Sequence, residues 1–209
     1  MMTSKYFNQV KRNYDCLSDF YNLLSGRAET AIFLRVVDLL SSRKIGSLLD
    51  IGCGTGKGLV EIKKHDLGAI SYVGVDLSIN MCRKTLQKDL NVTNSNALDL
   101  PFRNSIFDAV IYCFSIEIIP EELIMPVLGE CYRVLKPGGV VCIICMADLP
   151  GKNSISKIYS WARENYPKVV DCRPISISHF LIENRFMIIH KEVQELYGLP
   201  VEIAMAEKK

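Results

Sequence analysis

With 209 residues, 49% of them hydrophobic and 23% charged, the chain is long enough for one domain with a large core. A formal net charge of +2 implies no strong field for nucleic acid or an anionic membrane. The first twenty residues carry charges and lack an apolar run, and the longest apolar run, Val140 to Ala147, is far too short to span a bilayer; a soluble, cytoplasmic protein without stable membrane insertion is expected.

The first helix is expected over Ser4 to Leu24, with aromatics at Tyr6, Phe7, Tyr14, Phe20 and Tyr21, and the second over Thr30 to Leu40, nearly all apolar. Strands and helices alternate from there. A strand at Ile45–Asp50 is followed by glycines at 52, 54 and 56 and by a helix over Lys57–Lys64. Ser71–Asp76 is the second strand, and Ser78 is placed to cap a helix running to about Leu90. Asn91–Asn94 and Phe107–Phe114 are the third and fourth strands and Glu121–Leu135 a helix. Lys136-Pro137-Gly138-Gly139 makes a turn into the fifth strand, Val140–Met146. Such alternation predicts a parallel, doubly wound sheet with right-handed crossovers. An amphipathic helix at Ser154–Tyr166 contains Trp161 and is broken by Pro167; a short helix follows at Ser178–Asn184. Strands at Phe186–Leu196 and Val201–Ala206 are joined through Gly198-Leu199-Pro200. Two strands so close in sequence form a hairpin, so the last one runs antiparallel. The fold class is α/β: a doubly wound, mostly parallel seven-stranded sheet with a C-terminal antiparallel hairpin and added N-terminal helices. No repeat, low-complexity tract or linker interrupts it, so one domain over 1–209 is expected, with N-terminal helices in 1–44, a core in 45–147, a segment at 148–177 and a last helix and hairpin in 178–209.

Eight cysteines invite a metal or disulfide reading. Cys142 and Cys145 have C-x-x-C spacing, but within a β-branched run, where residues i and i+3 point to opposite faces and cannot share a metal. Cys16, Cys53, Cys82, Cys113, Cys131 and Cys172 show no metal spacing, so reduced thiols in a reducing compartment are expected. His179 and His190 stand alone and read as structural or exposed, with no metal.

Leu48-Leu49-Asp50-Ile51-Gly52-Cys53-Gly54-Thr55-Gly56 carries the chemistry. An apolar strand ends in an acid and meets three glycines at every second position, where the missing Cβ atoms let the backbone turn sharply and press against a ligand. A dinucleotide fingerprint needs a third glycine where Lys57 stands, and a Walker A loop needs glycine where Ile51 stands and Ser or Thr where Gly58 stands. The remaining pattern, D-x-G-x-G-x-G, resembles the loop of the class I S-adenosylmethionine-dependent methyltransferases. Tyr72-Val73-Gly74-Val75-Asp76 adds a second acid, 24 residues after Gly52, close to the separation at which dinucleotide folds place their ribose acid.

The resemblance covers roughly Tyr14 to Ala206 and is densest from Leu48 to Val141. It implies S-adenosyl-L-methionine as methyl donor and S-adenosyl-L-homocysteine as product, with a Rossmann-like core. By the same resemblance Gly52, Gly54 and Gly56 form the cofactor loop and Asp50 orients it near the methionine ammonium group. A carboxylate at a strand end also serves as a backbone cap, and both roles stand for Asp50. Asp76 would accept the ribose hydroxyls, Leu77 would lie against the adenine, and Asn96 and Ala97 would meet its edge. Asn96 departs from the acid common there, but its amide oxygen still accepts a hydrogen bond. Tyr14-Asp15 resembles the Tyr-Asp pair opening many relatives, and Tyr14 or Tyr21 would assist at the cofactor's carboxylate. Arg133-Val134-Leu135-Lys136-Pro137-Gly138-Gly139 matches the family's turn before the fifth strand and is structural.

An activated sulfonium asks little of side chains: the acceptor must lie in line, within about 3–3.5 Å at attack, and a base is needed only where the acceptor must lose a proton. The pocket wall is expected at the end of the fourth strand, Tyr112 to Glu117, with Cys113 toward the cofactor and Phe114 toward the substrate. Glu117, the one ionisable group between Ser115 and Pro120, is the candidate base or substrate-orienting group, against a surface or capping carboxylate. The Asp/Asn-Pro-Pro-Tyr/Phe segment of nucleic-acid amino methyltransferases is absent there, and no basic stripe exists, which argues against nucleic acid. The sharpest resemblance is to the menaquinone/ubiquinone-biosynthesis C-methyltransferases and their small-molecule relatives. Lys152 to Ile177 departs from that pattern, so substrate choice is expected there, with Tyr159, Trp161, Tyr166 and Arg173 as a lid and Arg173 pairing an anionic substrate. Packing is the alternative for each.

A small-molecule methyltransferase, monomeric or homodimeric, is the leading reading. A catalytically silent S-adenosylmethionine-binding partner subunit is the alternative, favoured by an exposed apolar patch on the N-terminal helices. Arsenite methylation would need Cys16, Cys113 and Cys172 to converge. The glycine spacing disfavours a nicotinamide oxidoreductase.

Overall fold

The computed structural model describes residues 2–17, 27–65, 67–68, 71–148, 154–165 and 172–209. The chain divides into two compact units, Met1–Phe102 and Arg103–Lys209, at a boundary inside the loop before the fourth strand. Seven strands make a mixed sheet, parallel except at its C-terminal hairpin.

The first unit contains α1 (Met2–Leu17), α2 (Arg27–Ser41), β1 (Ser47–Ile51), α3 (Lys57–Lys64), β2 (Ser71–Asp76), α4 (Ile79–Leu86) and β3 (Asn91–Asn94). Of the expected Ser4–Leu24 helix, residues 18–24, including Tyr21, lie outside the described residues. Ile32, Phe33, Val36 and Leu40 recur at helical spacing and are buried, so α2 presents one apolar stripe. Gly58 lets α3 pack tightly there: a Cβ on it would stand 2.4 Å from Phe33 Cε1. β1 and β2 pair in parallel, Asp50 opposite Gly74, and β2 continues to β3 with Asp76 opposite Asn94.

Two boundaries differ from expectation. The strand expected at Ile45–Asp50 runs from Ser47 to Ile51, with Ile45 buried ahead of it. The helix expected to reach Leu90 ends at Leu86, and Asp89, with φ of 54°, reverses the chain and drives Leu90 inward.

The second unit contains β4 (Phe107–Cys113), a 3-10 turn (Ile116–Ile118), α5 (Glu121–Val134), β5 (Leu135–Met146), α6 (Ser154–Asn165), α7 (Ile177–Glu183), β6 (Phe186–Leu196) and β7 (Leu199–Lys208). The bend expected at Lys136–Gly139 is present, but it lies inside β5 as a bulge rather than ahead of a strand beginning at Val140. Leu135 pairs Phe107 and Val140 pairs Ala109, so residues 136–139 stand opposite Asp108 alone and three of them are extra. Pro137 has no N–H for the ladder and Gly138 takes φ of 74°, which together force the excursion. Cys142 and Cys145 are both fully buried and lie opposite Met205 and Glu202 of β7.

β7 runs antiparallel between β5 and β6. Tyr197 and Gly198, with φ of 52° and 79°, form the two-residue connection, so Leu199 and Pro200, expected in the link, already belong to β7. Both central residues at positive φ suit the twist of a hairpin. Among the described residues no helix is long and apolar enough to cross a membrane.

Candidate functional site

The glycine loop begins where β1 ends. Gly52, Gly54 and Gly56 have φ of 76°, 55° and 75°, a region other residues enter at a cost. Val75 O accepts from the N–H groups of Gly52 at 2.8 Å and Cys53 at 3.1 Å, and Cys53 O accepts from Gly56 N–H at 2.9 Å. Residues unmarked by sequence reasoning hold the rest: Thr85 Oγ1 donates to Gly54 O at 2.9 Å and Lys88 Nζ to Thr55 O at 2.6 Å. Thr85 was detectable as a hydroxyl on the apolar face of α4. Cys53 fits because β2 has glycine beside it; a Cβ on Gly74 would stand 2.6 Å from the thiol sulfur.

Two carboxylates flank the loop. Asp50, at the end of β1, is 3% exposed and its Oδ1 has no hydrogen-bond partner. Burial, and then the charge of Asp76, raise its pKa from 3.8 to about 7. Asp76, at the end of β2, accepts from Gly54 N–H on Oδ2 and from Ser78 N–H on Oδ1, both at 2.8 Å. Burial raises its pKa to about 6, those two donors oppose the rise, and nearby Asp15 adds to it. Each Asp76 oxygen keeps an acceptor lone pair beyond the backbone bond it already makes.

Asp15 on α1 was expected only as half of a Tyr-Asp pair. Its carboxylate accepts a short hydrogen bond from Ser78 Oγ and another from Asn80 N–H at 3.2 Å, while Asn80 Nδ2 donates to Asp15 O at 3.3 Å. α1 is thereby fastened to the N-terminus of α4, where Ser78 Oγ also accepts from Met81 N–H at 3.1 Å as the expected cap. Tyr14, one residue earlier, is half-buried on α1. Leu77 is half-buried between Asp76 and the cap, and Asn94 Nδ2 donates to the carbonyls of both Asp76 and Leu77 at 2.9 Å. Asn96 Oδ1 accepts from Leu98 N–H at 3.0 Å, folding Asn96-Ala97-Leu98 into an Asx turn with Ala97 half-buried.

In the second unit, β4 stops at Cys113 rather than Phe114, because Phe114 takes φ of 51° and donates to Ile144 O at 2.9 Å. Cys113 and Phe114 are half-buried. Tyr112, expected in the pocket wall, is fully buried on the side of β4 facing Cys131 and Glu130 of α5, so it forms no wall. Glu117 is likewise fully buried, which removes the surface-carboxylate reading; Oε1 accepts from Met146 N–H at 3.4 Å. Arg173 is engaged by the protein: its guanidinium donates to Glu121 Oε2 and to Ile119 O, each at 3.0 Å, so an anionic substrate would have to compete with Glu121. Trp161 is 57% exposed on α6, and Tyr159 OH donates to Cys172 O at 2.8 Å. Tyr166 and the Cys16 side chain lie outside the described residues. His179 is exposed beside Glu183, and no His, Cys, Asp and Glu cluster among the described residues has metal-holding geometry.

These features fit a nucleoside carrying an amino-acid cation. The loop turns on three glycines at positive φ, Asp50 offers a buried acceptor oxygen without a partner to an ammonium, and Asp76 offers two oriented acceptors to a diol. Comparison with known proteins agrees. The methyltransferase domain family matches residues 48–139. Demethylmenaquinone methyltransferase of Staphylococcus carnosus (strain TM300) is 33% identical over 145 residues, which are 66% of this chain and 58% of that protein. The chain therefore spans less than two thirds of the length of the curated relatives it matches. A Burkholderia thailandensis 1,6-didemethyltoxoflavin-N1-methyltransferase structure, with 1,6-didemethyltoxoflavin and S-adenosylhomocysteine bound, superposes with a TM-score of 0.75 at 14% identity, over 99% of this chain and 90% of that one. Magnesium protoporphyrin IX methyltransferase of Synechocystis PCC 6803, with bound S-adenosylhomocysteine, gives 0.69 at 16% identity, over 87% and 84%. At such identities these two show the fold. Fold, loop and matched residues together make the chain similar to the class I S-adenosylmethionine-dependent methyltransferases. Their methyl donor is S-adenosylmethionine.

Proposed function

We propose that this chain transfers a methyl group from S-adenosylmethionine to a small-molecule acceptor, and that the acceptor is quinone-like. When bound, S-adenosylmethionine supplies a methyl group already activated on a sulfonium. The observation that carries the reading is the pair of carboxylates, Asp50 buried and Asp76 half-buried, on either side of a three-glycine loop. Asp50 Oδ1 receives the ammonium, and Asp76, held in orientation by Gly54 and Ser78, receives the ribose hydroxyls. Leu77, Asn96 and Ala97 serve the adenine, Tyr14 or Tyr21 the carboxylate, and Cys113 also lines the cofactor. Glu117 orients the acceptor or takes its proton, and its burial keeps water from competing for that carboxylate. Phe114, Trp161 and Arg173 serve the substrate, with 148–177 as the lid of a single 1–209 domain. The quinone-like acceptor is supported by the demethylmenaquinone methyltransferases among the relatives. A cytoplasmic protein acting on no nucleic acid accompanies this reading, consistent with the weak net charge of +2.

Calorimetric titration with S-adenosylmethionine and S-adenosylhomocysteine tests the cofactor site. Wild-type binding that Asp76→Ala weakens by about 1–3 kcal/mol, as for a lost buried partner, supports it; no binding to wild type sinks the enzyme reading. Methyl transfer to demethylated quinols, run beside amine and thiol acceptors, then tests the acceptor class.

A further inference from the structure

β6 is the outermost strand of the sheet and pairs with β7. Edge strands ordinarily discourage a further strand by being short, bulged or charged. β6 is 11 residues long, and its irregularity lies between Ile188 and His190, which leaves 190–196 regularly paired. In that run Lys191, Val193 and Glu195 share one face, opposite Ala204, Glu202 and Pro200 of β7. All three are exposed, as are Ile189 and Tyr197 at the two ends. Val193 is 46% exposed and Tyr197 60%.

We propose that this edge is an interface between two copies of the chain, β6 pairing antiparallel with β6 of the second copy about a twofold axis through Val193. A twofold axis normal to the sheet keeps each strand's faces, so opposing residues have the same parity. Val193 then meets its own counterpart, Lys191 meets Glu195 of the second copy and Glu195 meets Lys191. On the other face Glu192 meets Gln194 and His190 meets Leu196. An axis through Lys191, Glu192 or Glu195 sets like charges directly against each other, which is unfavourable. One through Gln194 makes no ion pair. Among these axes only Val193 combines two ion pairs with an apolar centre. The lysine that would repel an unrelated strand is thus answered by a glutamate of an identical one. Within its own chain Lys191 Nζ lies 3.4 Å from Glu202 Oε1 of β7, so Glu195 of the second copy would be a second carboxylate for this ammonium.

Sedimentation velocity of the full chain over a range of concentrations tests the interface. Wild type forms a dimer that salt weakens. Glu195→Lys opposes Lys191 with lysine at two symmetry-related places and weakens the dimer about tenfold or more. The double exchange K191E/E195K restores it, and mixing the Glu195→Lys and Lys191→Glu chains produces a heterodimer. Thermal melts of each variant establish that it is folded. A monomeric wild type at every concentration overturns the proposal. So does a folded Glu195→Lys chain that dimerises like wild type, or a folded double exchange that stays monomeric.

Discussion

Replacing Asp50 by asparagine separates the stability of the free protein from its capacity to bind a cation. The carboxylate is 3% exposed, one oxygen has no partner, and its pKa rises from 3.8 to about 7. The unfolded chain ionises near the lower value and the folded chain near the upper. The penalty for burying the charge is absent below 3.8, grows with rising pH and is complete above about 7. At about 1.4 kcal/mol per pH unit between those values it reaches roughly 4 kcal/mol. Asp50→Asn removes that penalty but leaves an amide short of a hydrogen bond, at about 1–3 kcal/mol. The net expectation is a variant stabilised by roughly 1–3 kcal/mol at about pH 8, or several degrees in Tm for a chain of this size. Near pH 5 the wild-type carboxyl is mostly protonated, and the gain disappears or reverses. Melts of both proteins at the two pH values read this directly. Titration with S-adenosylhomocysteine at about pH 8 should show at least a tenfold weaker complex for the variant, since the ammonium loses its buried counter-charge. Wild-type affinity should fall on acidification through the range of Asp50 and Asp76, and Asp50→Asn should flatten that fall. An Asp50→Asn protein no more stable than wild type at pH 8, or shifted equally at both pH values, would refute the electrostatic account of this loop.

Gly58→Ala should destabilise the first unit by about 1–3 kcal/mol through overpacking, because the new methyl is placed 2.4 Å from Phe33 Cε1; Phe33→Leu should recover part of the loss, and a melt unchanged from wild type counts against the α2–α3 packing. Asp15→Ala should cost about 1 kcal/mol and loosen α1, raising its protease sensitivity while Ser78 still caps α4 through Met81 N–H. Equal cleavage of α1 in the two proteins would show that this side chain does not anchor it.

The cofactor loop was legible in the sequence because its requirements are local. An apolar strand, an acid at its end and glycines at alternate positions dictate positive φ within a few residues, and the observed angles at Gly52, Gly54 and Gly56 follow. Strand and helix alternation, and a hairpin from two adjacent strands, are local in the same sense. The partners of the charged and polar groups are decided otherwise. Asp15 reaches Ser78 across 63 positions and Arg173 reaches Glu121 across 52, and neither spacing carries a periodic signal. The turn at Lys136–Gly139 is local chemistry read correctly as a bend, yet only pairing with Phe107 and Ala109 makes it a bulge within β5. Burial likewise belongs to the tertiary structure. Tyr112 and Glu117 sit eight and three residues before Pro120 in one apolar run, and packing alone withdraws the first toward α5 and encloses the second. Backbone conformation follows from neighbours in sequence; desolvation, and with it the pKa of Asp50 and the engagement of Arg173, follows from neighbours in space.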